Sequence, residues 1–339
     1  MRTVELPGTG VVTSALGFGC AGLFGLPRKA DRRAVLETAF DAGIRHFDVA
    51  PMYGLGLAEA ELAPILRRHR DETTVTTKFG IDPTFLGRIA GRTQGPARAI
   101  MGKYPRLRRE LKDAGRGPGS GWVGRLLYAS GGFDSTIAER SLRRSLHALG
   151  TDYVDIFVLH DPTADLIGAP EIVEYLNEQR SSGRIRCWGI TGDGVEFSGG
   201  AEVIAESAPL IQTRQDVFDA VPGPADESAK ARIIFGVIER ALPILQSYFH
   251  QFPDERVRWS TRLGLDLQDE SCLPTLLLRE ALRRNPCGPV LFGSTRSDRI
   301  VAAADLASED LPMPTGENTE MLEELAAAVR QTQPGLHRD

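Results

Sequence analysis

Four ionisable side chains stand where buried strands are predicted to end. Asp48 closes the run RHFD, and Tyr53 follows it five residues later within DVAPMYG. Lys78 closes TVTTK, and His160 closes DIFVLH. An aspartate, a tyrosine, a lysine and a histidine have complementary roles in acid–base chemistry if one fold brings them to the same place.

The elements that must position these residues are short apolar runs that alternate with helix-length segments. Strands that alternate with helices imply a parallel sheet. Eight such units predict a closed (β/α)₈ barrel, with a doubly wound open sheet as the alternative. In a barrel, the ends of the strands meet at one rim, where this architecture places catalysis. The predicted strands are LGFG, RHFDVA, TVTTKFG, YVDIFVLH, RCWGIT, LIQTRQ, RIIFGV and GPVLFG.

Helices are predicted between and after these strands. Thr136 and Glu139 fit a capping box at the start of one of them, and Gly43 and Gly150 stand at helix-ending positions. VELPGTGVVTSA is predicted to form an N-terminal β-hairpin. The predicted helices cover 31–43, 57–69, 134–150, Glu171–Ser181, Glu239–Phe252, Leu273–Arg284, Ser297–Ala307 and, as an addition at the C-terminus, Glu317–Arg330.

Composition fits one barrel domain over residues 1–339, with 42% hydrophobic and 25% charged residues. The net charge of −5 argues against general nucleic-acid binding. No apolar run approaches the roughly 18 residues of a membrane span, and the N-terminus lacks a signal-peptide core. We therefore expect a cytoplasmic protein without a membrane partner. Its four cysteines lack CxxC spacing, so neither a zinc site nor a disulfide framework is expected.

Absent motifs also limit the fold and the chemistry. The turn after a first dinucleotide-binding strand of an open sheet carries GxGxxG, which LGFGCAGLFG does not supply in that frame. The glycine-rich GRGPGSGWVG is predicted to be a flexible loop. P-loop, HExxH and GxSxG motifs do not occur.

Several segments together resemble the aldo-keto reductase superfamily: GIRHFDVAPMYG, VTTKFG, SLRRSLHALGTDYVDIFVLHDP and GRIRCWGIT. The resemblance implies that Asp48, Tyr53, Lys78 and His160 are that family's catalytic tetrad. It also implies an NAD(P)-dependent enzyme that interconverts an aldehyde or ketone, sugars included, and an alcohol. The motifs cover roughly 14–80, 134–192 and 272–303. The oligomeric state stays open.

The physical roles of the four residues agree with this resemblance. Hydride delivery to a carbonyl leaves an alkoxide, which needs a proton donor within reach. Tyrosine is a weak acid, with a reference pKa near 10. A lysine ammonium about 4 Å away favours the phenolate by roughly 4 kcal/mol at an effective dielectric of about 20. Asp48 would hold Lys78 charged, and His160 would position the carbonyl oxygen.

Each residue has a simpler interpretation when it is taken alone. A strand-end Lys78 or Asp48 is most often a solvated or ion-paired group. His160 alone suggests a structural hydrogen bond, and Tyr53 alone a packed aromatic ring. The four together at the family's spacing favour catalysis. A cofactor-binding regulatory or channel-associated subunit with little turnover is the alternative function, which the intact tetrad disfavours.

Cofactor contacts follow only from the resemblance. The family holds a nicotinamide carboxamide with a Ser-Asn pair and a Gln, and Thr191, Gly192 and Gln212 align there, without the asparagine. Phe235 aligns with a stacking aromatic residue on the seventh strand.

The adenosine 2′-phosphate site of the family aligns with the segment GSTRSDRI. Ser294 and Arg299 have the family's spacing, and Gly293 replaces a basic residue that often precedes the serine. Arg296 could compensate, because a guanidinium matches phosphate geometry. The simpler interpretation is that both arginines are solvated helix-start residues. We therefore expect NADP, with NAD as the alternative.

The segment 81–133 is predicted to be an insertion that covers the C-terminal face of the barrel as a lid. It is far longer than the roughly 2–6 residues of an ordinary βα loop. It contains three acidic residues, so its local charge is +7. A basic lid would attract an anionic substrate, whereas a solvated surface insertion is the simpler interpretation. Its ten basic residues are Arg88, Arg92, Arg98, Lys103, Arg106, Arg108, Arg109, Lys112, Arg116 and Arg125.

Overall fold

Eight parallel strands close into a barrel in the computed structural model, which describes residues 1–92, 126–130, 132–162, 170–192, 200–219, 230–308 and 316–332. The barrel prediction is therefore confirmed, and the open sheet is excluded. The strands are β1 (Thr3–Leu6), β2 (Val11–Ser14), β3 (Leu16–Gly19), β4 (His46–Asp48), β5 (Thr74–Phe79), β6 (Ile81–Pro83), β7 (Tyr128–Ser130), β8 (Val154–His160), β9 (Ile185–Gly192), β10 (Leu210–Arg214), β11 (Ala231–Phe235) and β12 (Val290–Phe292). The barrel follows the order β3, β4, β5, β8, β9, β10, β11, β12.

Helices surround the barrel in the βα alternation that the sequence indicated. The described helices are α1 (Lys29–Asp41), α2 (Ala58–His69), α3 (Phe85–Arg92), α4 (Ser135–Leu149), α5 (Pro170–Ser181), α6 (Gly200–Ser207), α7 (Ala241–Gln251), α8 (Pro253–Leu263), α9 (Cys272–Arg284), α10 (Ser297–Ser308) and α11 (Gly316–Thr332). Seven predicted helices between the strands and the added C-terminal helix are confirmed within one or two residues. Helices α3, α6 and α8 were not predicted. Within the described ranges, no helix is long and apolar enough to cross a membrane.

The lower part of the barrel is apolar. Ile156, Val158 and Ile233 belong to one buried cluster, which Leu6 and Val11 of the N-terminal hairpin join. The predicted hairpin is confirmed, because β1 and β2 pair antiparallel. Besides His46 and Thr76, which bond to each other lower in β4 and β5, buried polar side chains also lie at the upper ends of β4, β5 and β8.

One prediction about a helix start was wrong. The N-cap of α4 is Asp134, whose side chain accepts a hydrogen bond from the Ile137 amide at 2.8 Å. Thr136 therefore lies inside the helix and not at its cap. Glu139 points to other partners, since Arg184 and Tyr175 both donate to it at 2.8 Å. A short carboxylate on an extended residue caps directly, so no capping box forms.

The structure describes only the two ends of the predicted insertion. Strand β6 pairs antiparallel with β7, and α3 follows β6. GRGPGSGWVG and eight of the ten basic residues, Arg98 to Arg125, lie outside the described residues. The lid therefore stays a prediction.

Candidate active site

The four predicted catalytic residues lie at the C-terminal rim of the barrel. Asp48 is the last residue of β4, and His160 is the last residue of β8. Lys78 is the fifth residue of β5 and pairs in register with Val158. All three side chains are buried, and Lys78 is only 1% exposed. The barrel thus brings together residues that are up to 112 positions apart in the sequence.

A buried ion pair forms the base of the site. Lys78 Nζ donates to Asp48 Oδ1 at 2.6 Å and to the Val49 carbonyl at 3.0 Å. A charge buried away from water is costly unless it is paired and hydrogen-bonded. These two acceptors fix the lysine head, so its position is set before any ligand arrives.

Tyr53 lies beside this pair. Lys78 Nζ is 5.0 Å from the centroid of the Tyr53 ring. The Tyr53 and His160 rings meet edge to face, with centroids 6.1 Å apart. The side chains of the tyrosine, the lysine and the histidine therefore lie close together, as the sequence predicted.

The turn that carries Tyr53 is held by close packing against glycine. Gly54 has a φ of 61°, and a Cβ there would lie 2.2 Å from the Phe24 ring. On the other side, a Cβ on Gly91 of α3 would lie 2.9 Å from the Leu55 carbonyl oxygen. Larger residues would therefore displace the turn, because neither gap can hold a side chain. This support was not predicted from the sequence.

His160 is a neutral imidazole in this environment. Burial lowers its pKa well below the usual value, and the nearby Lys78 charge lowers it further. Its Nδ1 has no hydrogen-bond partner in the described part of the chain. Its Nε2 is 4.0 Å from Asp161 Oδ2. A neutral ring can still hydrogen-bond a carbonyl oxygen, but it does not bring a charge to the site.

Gln212 also reaches the ion pair. Its Nε2 donates to Asp48 Oδ2 at 2.9 Å, the oxygen that Lys78 leaves free. Its Oε1 is buried and has no partner among the described residues. The sequence placed Gln212 with the cofactor but did not predict the bond to Asp48.

Phe235 has a neighbour that the sequence analysis missed. Arg214 pairs with Phe235 in register across β10 and β11, and its guanidinium carbon is 5.3 Å from the ring centroid. Arg214 also forms an ion pair with Glu239 at 3.3 Å. Side chains two residues apart on a strand face the same side, so Arg214 lies on the same face of β10 as Gln212, two residues closer to the rim. That spacing is the signal that could have identified it.

The remaining predicted cofactor residues lie on two parts of the rim. Thr191 is buried in β9 and pairs in register with both His160 and Gln212. Ser294 follows β12, and its hydroxyl accepts the Arg296 amide at 3.1 Å. The Arg296 guanidinium forms an exposed ion pair with Asp298. Arg299 is exposed. The structure thus separates Thr191, close to the tetrad, from the residues assigned to a phosphate.

A second buried histidine gives a testable pH dependence. Burial lowers the pKa of His46 from 6.5 to about 3, and its Nε2 lies 3.1 Å from Thr76 Oγ1. As the pH falls, His46 takes up a proton near pH 6.5 in the unfolded chain but only near pH 3 in the folded protein. Stability should therefore fall as the pH drops through this window. Chemical denaturation of His46→Gln between about pH 6 and pH 4 should show a slope flatter by about 1.4 kcal/mol per pH unit. Parallel wild-type and variant curves would contradict this.

Comparison with known proteins places this barrel in a family. The chain belongs to the aldo/keto reductase family, whose model matches residues 15–198, more than half of the sequence. Glycerol dehydrogenase from Gluconobacter oxydans shares the fold, with a TM-score of 0.67 at 17% identity over 99% of this chain and 97% of that one.

Two curated relatives match shorter stretches. D-threo-aldose 1-dehydrogenase from a Pseudomonas species is 34% identical over 189 residues, 53% of this chain and 50% of that protein. Pyridoxal 4-dehydrogenase from Microbacterium luteolum is 42% identical over 92 residues, 26% of each chain. The chain thus spans between about a quarter and a half of the length of these two relatives.

Proposed function

We propose that this protein is a nicotinamide-dependent oxidoreductase that interconverts a carbonyl and an alcohol, with Tyr53 as the general acid and base. The observation that carries the proposal is the buried Asp48–Lys78 pair beside the Tyr53 ring. Such a pair places a fixed positive charge where a phenolate would form, and the family membership supports the same chemistry.

The residues at the rim fit a nicotinamide. Gln212 Oε1, which is buried and has no partner in the part of the chain that the structure describes, can accept a hydrogen bond from a carboxamide NH₂. Thr191 pairs in register with Gln212 on the adjacent strand, so the two side chains lie on the same face of the sheet. Phe235 offers an aromatic face nearby, although Arg214 already lies over the ring. When bound, the nicotinamide supplies or accepts the hydride.

The chain's own residues then manage the proton and the carbonyl oxygen. In reduction, the Tyr53 hydroxyl donates its proton to the oxygen on which negative charge develops. Lys78 stabilises the resulting phenolate, and Asp48 keeps the lysine in place. Neutral His160 positions the same oxygen by hydrogen bonding. In oxidation, the phenolate takes the proton back from the alcohol.

The substrate class that we propose is a small polyhydroxy aldehyde or its cyclic hemiacetal. The names of two relatives, D-threo-aldose 1-dehydrogenase and pyridoxal 4-dehydrogenase, both describe oxidation at an aldehyde carbon. An aldehyde with a hydroxyl group at the right distance closes on itself in water, and oxidation of this hemiacetal gives a lactone. Tyr53 would then remove the proton of the anomeric hydroxyl.

The test is a substrate panel assayed in both directions. Aldoses and pyridoxal with NAD⁺ or NADP⁺, and short aldehydes with the reduced cofactors, are followed at the nicotinamide absorbance band. We expect turnover that depends on the cofactor, with lactone as the product of aldose oxidation. Cofactor binding without turnover across the panel would contradict the proposal and favour a binding role.

Cofactor choice is a separate proposal, in favour of NADP. If Ser294 and Arg299 hold a 2′-phosphate, Arg299→Ala should weaken NADPH binding by about 2–3 kcal/mol, the value of a charge-assisted contact, and leave NADH nearly unchanged. Dissociation constants from fluorescence quenching measure both. Equal weakening of the two cofactors would contradict a phosphate contact, as would a wild-type preference for NADH.

The Arg296–Asp298 ion pair provides a second test of the assigned phosphate site. Asp298 neutralises Arg296 beside the assigned phosphate site. Asp298→Asn should therefore strengthen NADPH binding modestly, because an exposed ion pair is weak. NADH binding should stay the same. A larger gain for NADH would place Arg296 away from the 2′-phosphate.

A further inference from the structure

We infer that Gln212 is a positioning residue that couples the carboxamide site to the ion pair behind Tyr53. This inference rests on the proposed function, because it concerns how that site is tuned. It assigns Gln212 a second task besides holding the cofactor. The task is to share the charge of Asp48 with Lys78.

The first observation is the geometry of the carboxylate. Each oxygen of Asp48 accepts one side-chain donor, Oδ1 from Lys78 at 2.6 Å and Oδ2 from Gln212 at 2.9 Å. A carboxylate only accepts hydrogen bonds, so the nitrogen of the Gln212 amide must face it. The amide orientation, often ambiguous, is therefore settled by its partner.

The second observation is the other end of the same amide. With Nε2 committed to Asp48, Gln212 Oε1 must point the other way, and it has no partner within the described ranges. The side chain is only 2% exposed, so water does not readily satisfy it. A buried acceptor without a donor is unfavourable and rare. A ligand with an N–H donor would complete it.

The two ends of an amide influence each other. A donor bound at Oε1 polarises the amide and makes Nε2–H a stronger donor, by about 10–30% of the hydrogen-bond strength. The stronger hydrogen bond from Gln212 then offsets more of the negative charge of Asp48. Asp48 therefore cancels less of the positive charge of Lys78. Because Lys78 Nζ is 5.0 Å from the Tyr53 ring centroid, the field at the tyrosine rises. The carboxamide and the proton donor are linked in this way.

Other titratable groups around the pair do not obscure this link near neutral pH. Burial raises the pKa of Cys20, lowers that of His46 to about 3 and lowers that of His160 well below its usual value. All three are therefore uncharged there. Asp161 Oδ2 lies 4.0 Å from His160 Nε2 on the same side of the rim.

The test measures Tyr53 directly, without cofactor. Gln212→Met removes both hydrogen bonds at similar size. The ionisation of Tyr53 is obtained from the tyrosinate absorbance of each protein minus that of its Tyr53→Phe counterpart. We expect the midpoint in Gln212→Met to lie about 0.5–1 pH units above that of the wild type. Equal midpoints would overturn the inference.

A second measurement uses the wild-type protein and remains informative if Gln212→Met does not fold. In the 3-acetylpyridine analogue of the cofactor, an acetyl group replaces the carboxamide and cannot donate. The Tyr53 midpoint should be lower with the normal oxidised cofactor than with the analogue. Identical midpoints with both bound would overturn the coupling.

Cofactor affinity separates this inference from the proposed function. The analogue should bind the wild type about tenfold more weakly, the scale of one lost hydrogen bond, and Gln212→Met should show no such difference. An equal loss in both proteins would remove Oε1 from carboxamide recognition. A wild type that binds cofactor but turns over no carbonyl would defeat the proposed function instead, while the cofactor-free titration would still test the coupling.

Discussion

Replacing Tyr53 by Phe is expected to lower kcat by at least about 10²-fold, the usual scale for the loss of a general acid. Phenylalanine keeps the ring that packs edge to face on His160, so the site should keep its shape. Cofactor affinity should therefore change little, since only the hydroxyl is lost. Steady-state kinetics and fluorescence titration measure the two quantities.

Tyr128 provides a matched control. It is buried in β7 and packs in one small cluster with Ala50 and Met52, beside the Tyr53 turn. Burial raises the pKa of Tyr128 to about 12, which makes it a poor proton donor. Tyr128→Phe should keep kcat within a few-fold of the wild type. Near-wild-type turnover in Tyr53→Phe would remove Tyr53 from the mechanism, and equal losses in both variants would point to the turn rather than to the hydroxyl.

The fold could be predicted because its signals are local. Each barrel strand is a short apolar run, and most crossovers have the length and periodicity of a helix, so the alternation indicated a barrel, with an open sheet as the alternative. Register was not needed for that step. The capping error at Asp134 shows the limit of this reasoning. Asp134 and Thr136 both precede the apolar face, and only the backbone angles decide which one caps.

The composition of the site could be predicted, but its connections could not. Strand ends placed Asp48, Lys78 and His160 at one rim, and the structure shows these three there together with Tyr53. The bond between Gln212 and Asp48 joins residues 164 positions apart and depends on barrel closure. No local pattern determines which oxygen of a carboxylate remains for a distant amide. Hydrogen-bond partners on opposite sides of a barrel are determined by the register and the tilt of its strands.

Asp48 connects the two functions of the rim. One oxygen holds the lysine that acts on Tyr53, and the other holds the amide that faces the proposed carboxamide site. Its burial, at 3% exposure, leaves little room for water to replace either donor. Loss of Lys78 should therefore affect stability and catalysis by different routes, which variants can separate.

Lys78→Met should reduce both stability and kcat. Methionine fills the space of the lysine stem but leaves the buried Asp48 charge with Gln212 as its remaining side-chain donor among the described residues. Breaking a buried pair in this way typically costs about 3–5 kcal/mol of folding free energy. The loss of the field at Tyr53, at most roughly 4 kcal/mol, corresponds to a fall in kcat of up to about 10³-fold. Urea unfolding and kinetics at neutral pH measure the two effects.

The double variant Asp48→Asn/Lys78→Met should distinguish them. Asparagine has nearly the shape of aspartate, and its amide oxygen can still accept from Gln212 Nε2, so no uncompensated charge stays buried. We expect most of the lost stability to return, because replacing a whole buried pair is often nearly neutral. Activity should stay as low as in Lys78→Met, since the charge beside Tyr53 is still missing. A double variant as unstable as the single one would show that the ion pair is not the source of the stability loss, and recovered turnover would exclude Lys78 from the chemistry.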